Sequence, residues 1–216
     1  MSEVMKNYYA QRVATYDQIY AKPERQADIR ALRDFLTGSF SGSDILEMAC
    51  GTGYWTEFIA DIAKTVHATD INQVLLDHAR KKLNTCANVT FSLLDVFDQS
   101  IQFQKTFDAL FAGFLWSHIK RDEQALVLEN MRRLVGNGAS FVLVDNNYVE
   151  GESSPIARTD LEGNTYQIRQ QEDGSRVEIV KNFPTDSFLR KKFAPFARDI
   201  RIQRSAYFWT LSGVFK

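Results

Sequence analysis

The chain has 216 residues, of which 44% are hydrophobic and 25% charged, and its formal net charge at pH 7 is −1. This length predicts one α/β domain with a lid or insertion, and the near-neutral charge gives no general attraction for nucleic acid or an anionic membrane. The first residues lack the apolar core of a secretory signal, and no apolar run approaches the roughly 20 residues of a membrane span. Cys50 and Cys86 have no metal-like spacing, and two such cysteines are typical of a reducing, cytoplasmic compartment. We also expect a monomer or homodimer without a membrane partner.

The first predicted element is a helix from Tyr8 to Tyr20. Four side chains recur at every fourth position and would share one helical face: Tyr8, Arg12, Tyr16 and Tyr20. Such a stripe is typical of amphipathic packing, but the planar guanidinium of Arg12 also suits a carboxylate. A second helix, predicted from about Glu24 to Leu36, leads through a Gly/Ser connection into the first strand.

A glycine-containing turn follows the first predicted strand. The run from Ile45 to Cys50 leads directly to Gly51 and Gly53, and a helical pattern comes next. Glycine permits a sharp turn and the close approach of a ligand, and the first amides of the helix suit a polar or anionic group. Glu47 is too polar for a core strand and could accept hydrogen bonds from the loop amides. A dinucleotide loop needs a third glycine where Thr56 stands, so that motif is incomplete.

Carboxylates end the next two predicted strands. Asp70 lies seventeen positions after Gly53, where an acidic residue can accept hydrogen bonds from both hydroxyls of a ribose. The alternative is that Asp70 caps the helix that begins near Asn72. Asp95 would accept a hydrogen bond from the exocyclic amine of an adenine. The Val96 amide would then donate to the ring, with apolar side chains on its faces.

The remaining pattern predicts a parallel sheet with crossover helices, because strands and helices alternate regularly up to Asp145. Beyond it, a polar segment predicts loops and a hairpin through Tyr166–Arg169 and Arg176–Ile179. A short helix from Pro184 to Phe193 and an antiparallel closing pair follow. Every candidate residue lies beyond a strand's carboxyl end, where such sheets bind ligands.

Three of these features together resemble class I methyltransferases that use S-adenosylmethionine, in particular the bacterial small-molecule members. Glu47-x-Ala49-x-Gly51-x-Gly53, Asp70 and Asp95 match three cofactor motifs of that family in order, with Ala49 where the family has Gly. Other stretches are similar to the lid and to a bacterial subgroup: Tyr8-x-x-x-Arg12-x-x-x-Tyr16-Asp17, Asn164-Thr165-Tyr166-Gln167 and Lys181-Asn182-Phe183-Pro184.

The resemblance implies a Rossmann-like, mostly parallel seven-stranded sheet with helices on both faces and an antiparallel last strand pair. It implies a single methyltransferase domain over residues 1–216, with an N-terminal helical lid (1–43), a cofactor-binding core (44–145) and a substrate-side insertion with the closing strands (146–216). The expected reaction moves the methyl group of S-adenosylmethionine to a small-molecule N, O or carboxylate acceptor and leaves S-adenosylhomocysteine.

The resemblance also assigns roles to residues. The implied cofactor-binding set is Tyr8, Arg12, Tyr16, Glu47, Ala49, Gly51, Gly53, Asp70, Ile71, Asp95, Val96, Phe111 and Ala112. Trp116, Asn146 and Tyr148 would shape the acceptor cavity. His118, just past the fourth strand, is the candidate general base; alternatively it caps the helix near Arg121 or only lines the pocket.

Departures from family patterns exclude several chemistries. The fourth strand ends in Phe111-Ala112-Gly113-Phe114 and lacks the Asn/Asp-Pro-Pro-aromatic motif of enzymes that methylate exocyclic base nitrogens. No Pro-Cys nucleophile is present, and a metal is not expected because Gly113 stands where metal-dependent catechol enzymes need a carboxylate. Two alternatives remain open. One is an RNA- or protein-directed methyltransferase using the basic residues between Arg190 and Arg204; the other is a non-catalytic S-adenosylmethionine-binding protein.

Overall fold

The computed structural model describes residues 3–171 and 173–216, so the first two residues of the predicted lid lie outside the described residues. The α-helices are α1 (Glu3–Gln11), α2 (Gln26–Phe40), α3 (Tyr54–Ile62), α4 (Gln73–Lys82), α5 (Gln124–Val135) and α6 (Asp186–Phe193). Short 3-10 helices span Tyr16–Ala21, Pro23–Arg25 and Trp116–His118. None of the helices in residues 3–171 and 173–216 combines the length and apolar character that a bilayer crossing requires.

The strands form one large sheet and one small one. They are β1 (Asp44–Met48), β2 (Thr65–Asp70), β3 (Val89–Leu93), β4 (Ala109–Gly113), β5 (Ser140–Asn146), β6 (Ile156–Thr159), β7 (Thr165–Gln170), β8 (Arg176–Val180), β9 (Ala197–Arg204) and β10 (Phe208–Phe215). The large sheet has seven strands in the order β3-β2-β1-β4-β5-β10-β9. β1 to β5 pair in parallel, and β10 pairs antiparallel with both β5 and β9. The predicted Rossmann-like fold class is therefore confirmed.

The strand order reverses between β1 and β4, which are hydrogen-bonded neighbours with Glu47 opposite Phe111. Successive side chains of a strand point to opposite faces. Ile45 accordingly joins a cluster with Leu36 and Ile59 from α2 and α3, while Leu46 joins a cluster with Met131 from α5 on the other face. Both faces are thus covered, and the crevice at the reversal is where sheets of this type bind ligands.

The small sheet is built from the polar segment after β5. β7 pairs antiparallel with both β6 and β8, so the predicted hairpin is present. The third strand, β6, lies where the sequence predicts a loop. Met5 and Tyr8 of α1 pack against Val177 and Ile179 of β8. The N-terminal helix is therefore held by the insertion rather than by the large sheet.

The single helix predicted from Tyr8 to Tyr20 is wrong. α1 ends at Gln11, turns follow, and a 3-10 helix begins at Tyr16. The tyrosines do not share a helical face, because each has its own tertiary partner: Tyr8 lies in the cluster on β8, and Tyr20 stacks on Tyr54 with ring centroids 4.0 Å apart. The second helix also runs further than predicted, to Phe40, whose fully buried ring packs edge-on against Phe111.

The turn between β1 and α3 contains three residues with positive φ: Ala49 at 59°, Gly51 at 58° and Gly53 at 79°. A Cβ on Gly53 would lie 3.1 Å from side-chain carbons of Ala79 and Leu83, so this glycine is required for packing against α4. A Cβ on Gly51 would meet only a ring carbon of Tyr16, at 3.9 Å. The conformation of Ala49 explains why related loops prefer glycine there, since a left-handed conformation strains a residue with a Cβ.

We therefore expect Ala49→Gly to stabilise the protein by about 0.5–1 kcal/mol, because relief of the left-handed strain outweighs the added freedom of the unfolded chain. Urea denaturation provides the measurement. Ala31→Gly is the matched control: Ala31 is an exposed residue of α2, so the same substitution there should cost about 1 kcal/mol. Equal destabilisation by both substitutions would contradict the assignment of strain to Ala49.

Candidate active site

A cleft of about 660 Å³ opens beyond the carboxyl ends of β1, β2 and β4. The sequence-predicted residues that line it are Tyr16, Ala49, Gly51, Asp70, Ile71, Asp95, Val96 and His118. Lining residues that were not predicted include Lys6, Tyr9, Asn72 and Phe114. The fold thus brings the three carboxyl-edge motifs to one place, with the N-terminal segment over them.

Asp70 is held rigidly at the edge of the cleft. Its Oδ2 accepts a hydrogen bond from the Gly51 amide at 3.0 Å, and its Oδ1 accepts one from the Asn72 amide at 2.8 Å. Burial raises the pKa of Asp70, and these two amides oppose that rise. The cap of α4 is Asn72, whose side chain accepts from the Val74 amide. Asp70 therefore braces the glycine turn and keeps its remaining acceptor capacity for a ligand.

Asp95 and Val96 lie beside Asp70 in the cleft. Asp95 Oδ1 accepts a hydrogen bond from the Phe97 amide at 3.0 Å, which fixes the turn after β3. Ile71 and Val96 supply apolar surface to the same space. This combination of a half-buried carboxylate and two aliphatic side chains suits a planar ring that carries an amine.

Glu47 lies beneath the glycine turn rather than on the wall of the cleft. Its side chain is buried, and its Oε2 atom has no hydrogen-bond partner in the described part of the chain. Burial raises the pKa of Glu47 to about 8, and the Asp70 carboxylate adds to the rise. Desolvation disfavours the charged form, so the carboxyl group is largely protonated at neutral pH in this structure.

His118 connects the cleft to both the N-terminal helix and the small sheet. Its Nδ1 lies 2.7 Å from the Val180 carbonyl oxygen, and its Nε2 lies 2.8 Å from the Tyr9 hydroxyl. A carbonyl only accepts, so Nδ1 carries the proton and Nε2 accepts from Tyr9. Burial and the Lys181 charge lower the pKa of His118 to about 3. The ring is therefore neutral at physiological pH, and its contacts are not those of a helix cap.

A second cavity, of about 710 Å³, adjoins the cleft. Four residues line both spaces: Tyr9, Tyr16, Phe114 and His118. The second space, but not the cleft, is also lined by four cationic side chains: Arg12, Arg25, Arg169 and Lys181. We call this space the basic cavity. Its position next to the cleft makes it the natural site for a second reactant.

Phe114, on the boundary between the two spaces, has a φ of 59°. Positive φ is unfavourable for a bulky residue and is found where the surrounding structure enforces it, often at functional sites. Here the Phe114 amide donates to the Val144 carbonyl at 2.6 Å, and its ring packs against Phe208. The strain places an aromatic ring at the junction.

A buried ion pair supports the floor of the basic cavity. Lys181 Nζ lies 3.1 Å from Asp145 Oδ1 and also donates to Ser117 Oγ at 2.7 Å and to Asn146 Oδ1 at 3.0 Å. Burial acts to raise the pKa of Asp145, but the Lys181 charge and two backbone amides hold it below its usual value. All three ammonium protons are thus used within the protein.

Several predicted site residues lie elsewhere. Tyr8 and Arg12 line the basic cavity instead of the cleft, and Asn146, which was predicted to shape the acceptor cavity, also lines the basic cavity. Phe111 and Ala112 are buried core residues, and Trp116 packs in the core against Phe193 with centroids 4.9 Å apart. Tyr148 is partly exposed and packs edge-on against Phe183. The predicted roles of these residues remain untested predictions.

The functional candidates that sequence reasoning missed are Tyr9, Arg25, Phe114, Arg169 and Lys181. Only Lys181 had a signal, since it begins a stretch similar to a bacterial subgroup. That stretch fastens the insertion to the loop after β4: the Asn182 amide donates to the Ser117 carbonyl at 2.8 Å.

The basic residues between Arg190 and Arg204 lie on α6 and β9, away from the cleft and the basic cavity. Arg204 pairs with Asp186 at 2.7 Å, and Arg198 pairs with Asp199 at 2.7 Å. Lys192 donates to the Arg121 carbonyl. Much of this charge is therefore engaged within the protein.

Comparison with known proteins identifies the core. Residues 45–138 match the family model described as a methyltransferase domain. This match covers less than half of the chain, and it shows that the core resembles a methyltransferase domain. Among solved structures, DhpI in a complex with SAH, and in a complex with SAM and HEP, gives a TM-score of 0.78 at 24% identity, over 98% of this chain and 95% and 96% of DhpI. A likeness at this identity establishes the fold.

Two curated relatives are malonyl-[acyl-carrier protein] O-methyltransferases. The one from Acetivibrio thermocellus is 28% identical over 53% of this chain and 40% of its own length. The one from Ilyobacter polytropus is 26% identical over 62% of this chain and 48% of its own length. The chain thus spans less than half the length of the curated relatives that it matches.

The raised pKa of Glu47 predicts a pH-dependent stability. Because its folded pKa of about 8 exceeds the unfolded value near 4.3, the folded state binds more protons between these values and loses stability as pH rises through this window. Glu47→Gln should therefore become increasingly stabilising relative to wild type from pH 5 to pH 8.5, by on the order of 2–4 kcal/mol.

Urea denaturation across this pH range measures the effect. Glu150→Gln is the control, since Glu150 is exposed and its substitution should leave the pH profile unchanged. Parallel pH profiles for wild type and Glu47→Gln would show that the Glu47 carboxyl group titrates normally.

Proposed function

We propose that this methyltransferase domain binds S-adenosylmethionine in the cleft and transfers its methyl group to a small-molecule acceptor in the basic cavity. The observation that carries the proposal is the shared wall of the two spaces, where Tyr9, Tyr16, Phe114 and His118 line both. The two relatives' names describe O-methylation of a malonyl group on an acyl-carrier protein, which supports an oxygen atom as the site of methylation.

The residues of the cleft fit the cofactor. Asp70 would accept from the ribose hydroxyls, since two backbone amides already fix its orientation. Asp95 would accept from the adenine amine, with Ile71 and Val96 against the ring. The open backbone of Gly51, facing Tyr16, suits the methionine end. When bound, the cofactor supplies a methyl group on a positively charged sulfur, which is already activated for transfer.

The protein's own contribution would be enclosure and alignment. The N-terminal helix is tied over the cleft by Asn72, whose side chain donates to the Lys6 carbonyl at 2.8 Å, and by the bond between Tyr9 and His118. Holding two reactants in line can supply up to about 7–11 kcal/mol of the barrier reduction. In this proposal residues 1–43 act as the lid, residues 44–145 bind the cofactor, and residues 146–216 contact the acceptor. The cytoplasmic location also remains a prediction.

Cofactor binding is the first test. S-adenosylhomocysteine should raise the melting temperature, with about 2.7 kcal/mol added at a concentration ~100 times its dissociation constant, whereas NAD should have no effect. Asp70→Ala should weaken S-adenosylhomocysteine binding at least about tenfold by calorimetry, because charge-assisted hydrogen bonds to the ribose are lost.

Asp98→Ala is the control for this experiment. Asp98 forms a similar turn, with the Ser100 amide at 2.8 Å, but it is exposed and outside the cleft. Stabilisation by NAD alone, or equal cofactor affinity in the Asp70 and Asp98 variants, would contradict the proposed cofactor site.

His118 provides the second test. His118→Ala should lower turnover while changing cofactor affinity little, because the ring lies where the two spaces meet. Wild-type turnover should not rise through pH 6.5, since the pKa of His118 is lowered to about 3. His118→Asn, which keeps a hydrogen-bonding group, should retain most of the rate if the neutral ring positions the acceptor. An Asn variant as inactive as the Ala variant would instead support the general base predicted from the sequence.

A further inference from the structure

The basic cavity contains positive charge that the protein does not neutralise. Of its cations, Lys181 is paired with Asp145. Arg12, Arg25 and Arg169 form no ion pair with a carboxylate among residues 3–171 and 173–216. None of the residues that line this cavity is acidic. Half-buried cations without counter-ions repel one another, so an anion from outside would be attracted.

Arg169 is the best-positioned of these cations. It is half-buried on β7, where Nη2 donates to Gln167 Oε1 at 2.7 Å and Nη1 donates to Ser154 Oγ at 2.5 Å. Its Nε atom has no partner in the described part of the chain. Neutral oxygens therefore hold the guanidinium in one orientation and leave its charge uncompensated. A fixed planar fork suits a carboxylate or a phosphoryl group.

Arg12 lies on the same side as Arg169. Both line the basic cavity and also the neighbouring space beside Gln171, Arg12 from the turn that follows α1 and Arg169 from β7. The guanidinium of Arg12 donates to the Tyr8 hydroxyl and lies over the Tyr8 ring, 5.3 Å from its centroid. Among the described residues, the neutral side chain of Tyr8 is therefore the partner of the Arg12 guanidinium.

Arg25 is the third unpaired cation of the basic cavity in the described part of the chain. Its guanidinium lies over the ring of Tyr207, 5.1 Å from the centroid, and its Nε has no partner among the described residues. One carboxylate, Glu152, lines the adjoining outer space, where it accepts a hydrogen bond from the Tyr207 hydroxyl at 3.0 Å. That acid lies outside the basic cavity and does not balance its three free charges.

The other polar groups on this wall are donors as well. Burial raises the pKa values of Tyr9, Tyr16 and Tyr20, so their hydroxyls remain protonated at neutral pH. The Tyr9 proton is already donated to His118, whereas the hydroxyls of Tyr16 and Tyr20 can donate to an anion, and none of the three phenols opposes it as a negative charge.

We propose that the basic cavity selects an acceptor that is already an anion, a small carboxylate or phosphoryl compound, with Arg169 as its principal anchor and Arg12 as the second. This rests on the proposed function. An oxygen of the anion forms a bond to the methyl carbon while the carbon–sulfur bond breaks and its electron pair remains on sulfur. The products are a methyl ester and S-adenosylhomocysteine. No proton has to be removed, which agrees with a neutral His118 whose Nε2 is occupied by Tyr9.

Binding of anions to the protein saturated with S-adenosylhomocysteine tests the proposal without turnover. By calorimetry we expect saturable binding of malonate, inorganic phosphate or both, and none of malonamide, which matches malonate in size but is uncharged. Arg169→Gln and Arg12→Gln should each weaken that binding at least about tenfold, as expected for loss of a charge-assisted contact. Arg176→Gln, an exposed residue of the same small sheet, should bind as wild type does.

Each source of the anion has its own signature. Saturable malonate binding that does not change between pH 6.5 and 8.5 indicates a carboxylate acceptor, whereas phosphate binding that strengthens as the second proton of inorganic phosphate is lost indicates a phosphoryl acceptor. Turnover with acids of the preferred class, read as S-adenosylhomocysteine released, should be absent with the corresponding amides.

Two results would overturn the inference: no binding of either anion by wild type, or equal binding by wild type and both arginine variants. If S-adenosylhomocysteine still binds in that case, the methyltransferase proposal stands and only the anionic acceptor is rejected. Failure to bind S-adenosylhomocysteine would reject the methyltransferase proposal itself. If Arg169→Gln fails to fold, anion binding by Arg12→Gln alone decides between these outcomes.

Discussion

The arrangement of the site depends on the buried ion pair between Asp145 and Lys181. Asp145 lies at the carboxyl end of β5, and Lys181 follows β8 in the insertion. Two charges taken out of water are tolerated only when their remaining hydrogen-bonding groups are satisfied. Here the Ser117 amide and hydroxyl donate hydrogen bonds to the two carboxylate oxygens of Asp145. The insertion, the last core strand and the loop that carries His118 are therefore fixed to one another. Removal of either charge would leave the other buried and unpaired.

This connection separates two tasks between two parts of the fold. The parallel sheet places Asp70 and Asp95 at its edge, and backbone amides orient both carboxylates. The small sheet brings Arg169 to the neighbouring cavity, and α1 packs on that sheet while Asn72 of the core holds its Lys6 carbonyl. Changes at Arg169 can thus alter the charge of the basic cavity while the backbone contacts that orient Asp70 and Asp95 stay in place. Such independence is expected where loops on a rigid scaffold carry specificity.

The sequence predicted the large sheet and most of the cleft, because both follow from local patterns. A strand, a glycine turn and a helix form one contiguous unit, and carboxylates at successive strand ends meet at one edge. The basic cavity could not be predicted in this way. Arg169 and Arg12 are distant in the sequence, and β6 has no periodic pattern that separates it from a loop. The spacing of the tyrosines by four residues led to a wrong prediction because it assumes a continuous helix. In the structure the helix ends at Gln11, and Tyr20 instead stacks on Tyr54.

Charge explains why the two spaces can coexist so closely. The cleft wall presents Asp70 and Asp95, whereas the basic cavity presents arginines without carboxylates. The residues between them are uncharged at neutral pH: a neutral His118, phenols with raised pKa values and the strained ring of Phe114. In the proposed function, a cationic methyl donor would be favoured beside these carboxylates and an anionic acceptor beside the arginines. An uncharged boundary of low polarity strengthens the attraction between these two partners across it, so the same electrostatics that sorts the reactants would also draw them together.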